Sequence, residues 1–339
     1  MTNILFFINY PSWLKPEIIP GLPIRWYGLM YIVAFAAAYF LVKTQVKEKK
    51  LEITDDTLTS LFSWGILGIL LGARIFHALV YDITAGYWRN PLLIFWPFDS
   101  NFNFIGLQGM SYHGGLIGGF VAVAIYCKLK KINMLEIGDM IAVAVPAGHT
   151  FGRLGNFANG ELFGRVTEAP WGMIFPNARP FSLHETWVAE FAAKIGIDIP
   201  LLVSAYVNLP RHPSQLYQAL FEGILLWAIL WFVVRKIKLP AGALIGTYIA
   251  GYGFVRFFIE YFREPDQAIG FILQLSSKVS HISRFDSFLN FTMGQVLCFL
   301  MIAAGLLFIL YSYKQQKHDP ALTEETAPSK KKHLRKKRK

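Results

Sequence analysis

Residues 152–165, GRLGNFANGELFGR, set Arg153, Arg165 and Glu161 among Asn156 and Asn159 directly after the apolar run DMIAVAVPAGHTF. The guanidinium forks of the two arginines suit the paired oxygens of phosphate or carboxylate. The asparagine amides can donate and accept hydrogen bonds, while Glu161 can hold an arginine or take a proton. Pro146, upstream in the apolar run, predicts a kink or break in any helix there. Glycines 152, 155, 160 and 164 leave the following backbone loose enough to wrap a ligand.

Further ionisable groups lie inside apolar segments, where they are expensive and count as functional candidates. YGFVRFFIEYFREPD places Arg256 and Glu260 four residues apart on one helical face, where they can pair with each other. Arg256 can equally join Arg153 at one depth. GARIFH holds Arg74 and IGDMIA holds Asp139, two residues that can form a structural bridge. His113 opens YHGGLIGG after the turn-like QGMSY, a position from which a base could meet a thiol or hydroxyl. The glycines 114/118 and 115/119 are two small-xxx-small pairs, which read as helix packing, with close approach to a ligand as the alternative. Fixed cations in a poorly hydrated site act strongly on developing negative charge. The residues alone therefore imply an outer-leaflet site for an anionic lipid head group, with an acid or base in His113 or Glu161.

The elements that must hold these residues are membrane helices. Of 339 residues, 54% are hydrophobic and only 16% charged, against roughly 25% charged in soluble domains. Runs of about 20 apolar residues predict seven spans near 25–43, 58–80, 113–129, 135–153, 215–234, 242–262 and 292–313. Lys43, Lys47, Lys49 and Lys50 follow the first; Lys128, Lys130 and Lys131 the third; Arg235, Lys236 and Lys238 the fifth. Ten of the 33 Lys and Arg follow the seventh. Basic residues mark cytoplasmic loops, so the N-terminus is expected outside and the C-terminus inside. The expected fold is an all-α polytopic membrane protein whose membrane domain covers 1–313. Outside it would carry a head insertion at 154–214 and an arm at 81–112, whose aromatic part at 87–104 is either interfacial or ordinary loop packing.

The net charge of +11 does not predict a nucleic-acid partner, because its basic residues are not gathered on a folded module. The segment 314–339 reads as a disordered basic tail beside the anionic inner leaflet. Cys127 and Cys298 lie in apolar spans and read as small buried hydrophobes, and no metal site is expected. The N-terminus, MTNILFFINYPSWLKPE, lacks the basic start of a cleavable signal peptide.

Five motifs in order carry a resemblance: RWYGLMY near the start, HGGLIGG, GRLGNFANGELFGR, RHPSQLYQALFEG at 211–223 and YGFVRFFIEYFREPD. Over residues 20 to 266 the chain resembles the bacterial prolipoprotein diacylglyceryl transferases. The resemblance implies a multi-pass protein of the bacterial cytoplasmic membrane with its active site toward the outer leaflet. Its substrates would be phosphatidylglycerol and prolipoprotein signal peptides with a lipobox cysteine, among surrounding membrane lipids. The diacylglyceryl group would pass to the cysteine thiol and glycerol phosphate would leave, with neither metal nor soluble cofactor. Arg153 and Arg256 would hold the phosphate, and Tyr27, Asn156, Glu161, Tyr252 and Glu260 would orient those groups. Asn159 joins the substrate-binding set from the same motif, and Gly164 would allow close backbone approach. His113 would be the base, an orienting role being equally compatible.

Rival classes fit less well. A transporter of anions needs a charged path to the cytoplasmic side, yet these polar residues gather at outer span ends, apart from Arg74 and Asp139. A serine intramembrane protease could draw on Ser111 and His113 but lacks its nucleophile motif. A scaffold needs no arginine at lipid depth.

Overall fold

Backbone amides in hydrocarbon have no water to bond, so an apolar run satisfies them internally by winding into a helix. All seven apolar segments do so in the computed structural model of the chain, which describes residues 7–19, 21, 24–82, 86–98, 100–103, 106, 109–197, 204–267, 269–276 and 281–318. The helices are α1 (Trp26–Glu48), α2 (Asp55–Phe76, extended by a π turn, His77–Tyr81), α3 (Tyr112–Lys130) and α4 (Met134–Ala158). After α5 (Thr186–Lys194) comes one continuous helix made of α6 (Ser214–Tyr217), a π segment (Gln218–Leu225) and α7 (Leu226–Phe232). The last two are α8 (Ala243–Ile259) and α9 (Met293–His318).

Among the described residues, five helical stretches are long and apolar enough to cross a membrane: Trp26–Glu48, Asp55–Tyr81, Tyr112–Lys130, Ser214–Lys236 and Met293–Lys317. α8 is apolar but has only 17 residues, and α4 carries Glu136, Asp139 and Arg153 along its length. The break expected at Pro146 does not occur, since α4 continues through it to Ala158. A proline removes one backbone donor from a ladder of many, and a helix buttressed by neighbours tolerates the loss. Arg153, expected at the span's end, therefore sits within the helix.

The chain divides into two units, residues 1–34 with 145–339 and residues 35–144. In the second unit, α2 and α3 approach at their glycines. A Cβ on Gly72 or Gly118 would run into the backbone of the facing helix, so this pairing is backbone against backbone, as expected of small-xxx-small stripes. Val42, Val46, Leu58, Leu61, Tyr126, Ile137 and Met140 form the unit's apolar core, with Cys127 inside it. Ser111 caps α3 by accepting from the Gly114 amide. It is buried in that structural task, which removes it as a nucleophile. Arg74 is also buried, its guanidinium donating to the carbonyls of Ile94 and Gly109 and to the Tyr87 hydroxyl.

In the first unit, a head follows α4. Strand β1 (Ile8–Asn9) pairs in parallel with β2 (Met173–Ile174), and β3 (Phe181–Ser182) pairs antiparallel with β4 (Tyr206–Val207). Val188, Phe191, Ala192 and Ile195 of α5 and its C-terminal turn bury against Val166, Phe181, Val207 and Leu209. β5 (Phe271–Gln274) pairs with β6 (Asn290–Thr292), which leads into α9. α8 and α9 approach closely through Gly246, Gly253 and Gly305. Of the basic tail at 314–339, residues from 319 onward lie outside the described residues.

Candidate functional site

The first unit brings together ionisable side chains from α4, the Ser214–Phe232 helix and α8. Glu222 stands in the π segment, its side chain wholly buried. A π bulge carries an extra residue per turn and re-aims the side chains around it, which is why such bulges recur at functional sites. Gly223 lets this segment press against Thr150 of α4, where a Cβ would collide with the threonine side chain. Glu222 Oε2 lies 2.9 Å from His149 Nε2, and its Oε1 accepts from Arg256 Nη1 at 3.2 Å. Arg256 Nη2 reaches Glu260 Oε2 at 2.9 Å, and Arg263 Nη1 approaches the same oxygen at 3.4 Å. Glu260 Oε1 also accepts from the Thr292 hydroxyl at 3.3 Å. Buried carboxylates are tolerable only when paired in this way.

Arg153 belongs to the same cluster but is bound differently. Its Nη1 donates to Asn156 Oδ1 at 3.2 Å, and its Nε lies 3.3 Å from His149 Nε2. Asn156, buried on the next turn, donates to Glu161 Oε1 at 3.0 Å, and Asn159 donates to the same oxygen at 3.3 Å. Among the described residues no carboxylate comes within ion-pair distance of Arg153. Arg256 is thus held between two carboxylates, while Arg153, half-buried, makes no ion pair among the described residues.

His149 Nε2 cannot both donate to Glu222 and accept from Arg153. The shorter contact, to a charged and fully buried oxygen, fixes the tautomer that carries hydrogen on Nε2. The Arg153 contact is then a close approach of donors. The Tyr252 ring stands edge-on to His149 at 5.7 Å between centroids.

The residues expected from the sequence divide clearly. Arg153, Asn156, Asn159, Glu161, Arg256 and Glu260 form one connected network, with Tyr252 against it through His149. Tyr27 on α1 packs where Gly155 of α4 lacks a side chain, and its hydroxyl lies 2.9 Å from that of Tyr31. Gly164 does allow a close backbone approach, but to the chain itself: its amide donates to the His212 carbonyl at 2.8 Å, and a Cβ would strike the Phe262 carbonyl. Arg165 departs from its expected phosphate role. Its guanidinium donates to the carbonyls of Arg263 at 2.8 Å and Arg284 at 2.9 Å and lies 5.3 Å from the Phe271 ring centroid. Burial pulls it down to about 10, still charged at neutral pH, and it serves as a staple of the head. The wrapping glycines are corrected likewise, since Gly152 and Gly155 are helical and only Gly160 turns the chain with a positive φ of 64°.

His113 belongs to the other unit. It is exposed at the first turn of α3, with Nδ1 3.2 Å from the Tyr81 hydroxyl. His149 and Glu222 were not among the residues the sequence singled out, although both are ionisable groups within predicted spans.

A family profile described as "Prolipoprotein diacylglyceryl transferase" matches residues 16–311. A phosphatidylglycerol–prolipoprotein diacylglyceryl transferase of Treponema denticola is 51% identical over 330 residues, 93% of this chain and 97% of that protein. The protein of the same name from Treponema pallidum is 48% identical, covering 91% and 97%. One from Chlorobaculum tepidum is 42% identical, covering 90% and 92%.

Proposed function

The chain belongs to the prolipoprotein diacylglyceryl transferase family, and from that premise we propose that the Arg153 cluster is where the transfer takes place. The enzyme moves the diacylglyceryl group of phosphatidylglycerol to the lipobox cysteine of a prolipoprotein, forming a thioether and releasing glycerol phosphate, the first step of lipoprotein maturation. Sulfur attacks the carbon that carries the phosphate, and the carbon–oxygen bond breaks. The lipid phosphodiester has one negative charge, while the departing phosphomonoester approaches two. A fixed cation therefore binds the transition state more strongly than the lipid, and only such differential binding raises the rate.

The observation that carries this reading is that Arg153 has no carboxylate within ion-pair distance among the described residues. It meets the phosphate free of an ion pair, held in place by Asn156, which Glu161 steadies in turn. Arg256, already shared by Glu222 and Glu260, contributes field and rigidity and turns toward phosphate only by loosening those pairs. Tyr27, Tyr252 and Asn159 line the same unit and orient the lipid.

The chain is a multi-pass membrane protein. We place α4 and α8 with these five spans, giving seven crossings of the bacterial cytoplasmic membrane. The basic residues after the first, third, fifth and seventh then lie inside. α8, at about 1.5 Å per residue, ends short of a bilayer core about 30 Å thick. Arg256 and Glu260 are then drawn slightly below the outer surface, where water is scarce and charge acts strongly.

A transfer assay by mass spectrometry tests the reading. Purified protein in phosphatidylglycerol vesicles should add a diacylglyceryl mass to a lipobox peptide but not to its Cys→Ser version. Arg153→Ala should lower the rate at least about 100-fold, the scale of losing a fixed charge-stabilising donor. Near-wild-type turnover by Arg153→Ala would remove it from the phosphate site.

A further inference from the structure

Two features of the cluster are not used by phosphate binding, namely the wholly buried Glu222 carboxylate and the His149 imidazole set against it at 2.9 Å. A carboxylate fixed on one ring nitrogen makes the other nitrogen the lone-pair site and stabilises the imidazolium that forms when it takes a proton. Both hydrogen-bond-distance contacts of the ring run through Nε2, and the side chain keeps 19% of its exposure. We propose that His149, oriented by Glu222, is the base that takes the proton of the acceptor cysteine, with Nδ1 as the atom that receives it. The inference rests on the reaction assigned above and adds the group that makes its nucleophile.

The placement follows from the connectivity of the substrates. The attacked carbon is joined to phosphate through one oxygen, and Arg153, which holds that phosphate, lies 3.3 Å from the imidazole. A sulfur poised on that carbon is within a few ångströms of the same ring. In the step, the S–H bond breaks and its proton goes to Nδ1 as sulfur bonds to the glyceryl carbon. The C–O bond breaks with its electron pair leaving on the phosphate oxygen, and the imidazolium then returns the proton to the released phosphate dianion. No oxidant, metal or further reactant enters. The charged and titratable groups facing His149 are Arg153 on its own helix, Glu222 on the Ser214–Phe232 helix, and Arg256 and Tyr252 on α8. The guanidinium groups favour the thiolate once it forms, while Glu222 favours the protonated ring.

The test separates proton transfer from packing. Wild type and His149→Leu would be assayed on lipobox peptides bearing cysteine or selenocysteine, whose selenol ionises at neutral pH without a base. Retained phosphatidylglycerol would be measured on the purified proteins. At pH 7, His149→Leu should be at least about 10-fold slower with cysteine, the low end of what a positioned base supplies. It should stay within about twofold of wild type with selenocysteine and bind the lipid as well. The cysteine deficit should also shrink as pH rises past the thiol value near 8.5. Equal slowing with both peptides, loss of bound lipid, or full activity with cysteine would each overturn the assignment. A wild type that transfers to neither peptide would overturn the reaction itself.

Discussion

Arg256 and Glu260 stand one turn apart on α8 and meet at 2.9 Å, and the same guanidinium spans to Glu222 at 3.2 Å. One cation thereby ties the π segment of one helix to the end of another and pairs with both carboxylates, Glu260 being shared with Arg263. Arg153, linked to Glu222 only through His149, has no such duty.

The two arginines should consequently fail in different ways. Removing one partner from a buried ion pair costs about 3–5 kcal/mol because the other charge is left uncompensated. Arg256→Ala should therefore lower the Tm of the detergent-solubilised protein by many degrees and lose transfer together with stability. Arg153→Ala should lose transfer with Tm nearly unchanged, since it strands no carboxylate. Equal Tm shifts for the two variants, read by the same thermal melt, would contradict this division of roles.

The head should be acid-sensitive through His212. Burial first, and then the positive charge of Arg165, hold this imidazole down to about 4, well below the usual value near 6.5. Its folded value is depressed, so the unfolded chain binds the extra proton. The stability it contributes is complete above about 6.5 and is lost progressively as pH falls from there toward 4. Thermal melts of wild type should drop across that interval, and His212→Asn should flatten the drop. A wild-type Tm independent of pH between 6.5 and 4 would refute it.

Much of the architecture was legible because lipid imposes length. Each apolar run became a helix close to its expected bounds, and the division of Arg256 and Glu260 onto one face followed from helical spacing alone. What was not legible depended on tertiary partners. Arg165 has the same fork as Arg153, yet the carbonyls it meets come from residues 98 and 119 positions away. Pro146 was expected to kink or break its helix, yet α4 runs unbroken through it to Ala158. His149 and Glu222, 73 positions apart, meet only where the π segment packs on α4. The cost of ionisable groups in spans, applied to 215–234 as it was to the other spans, would have flagged Glu222.

Gln218 opens that π segment four residues before Glu222. It is fully buried, with neither its carboxamide oxygen nor its nitrogen hydrogen-bonded among the described residues. An unsatisfied buried amide costs about 1–3 kcal/mol. Gln218→Met keeps the volume and removes the unpaired atoms, so it should raise the Tm by a few degrees. A lowered Tm would show that the amide has a partner in the folded protein.

Gly164 should tolerate no side chain. Its amide bonds the His212 carbonyl while the neighbouring Arg165 amide bonds the Phe262 carbonyl at 3.0 Å, so three chain segments cross at one residue. A methyl group there would overlap the Phe262 carbonyl and crowd His212, and backbone cannot rotate aside as a side chain can. Overpacking costs about 1–3 kcal/mol where neighbours relax; here the relaxation would pull Arg263 away, the residue that flanks Glu260. Gly164→Ala should therefore destabilise the head and lower transfer in the same variant. If Gly164 served the lipid instead, alanine would weaken phosphatidylglycerol binding while leaving the melt unchanged. Measuring Tm and bound lipid side by side decides between the two, and the crossing of segments favours a fall in Tm.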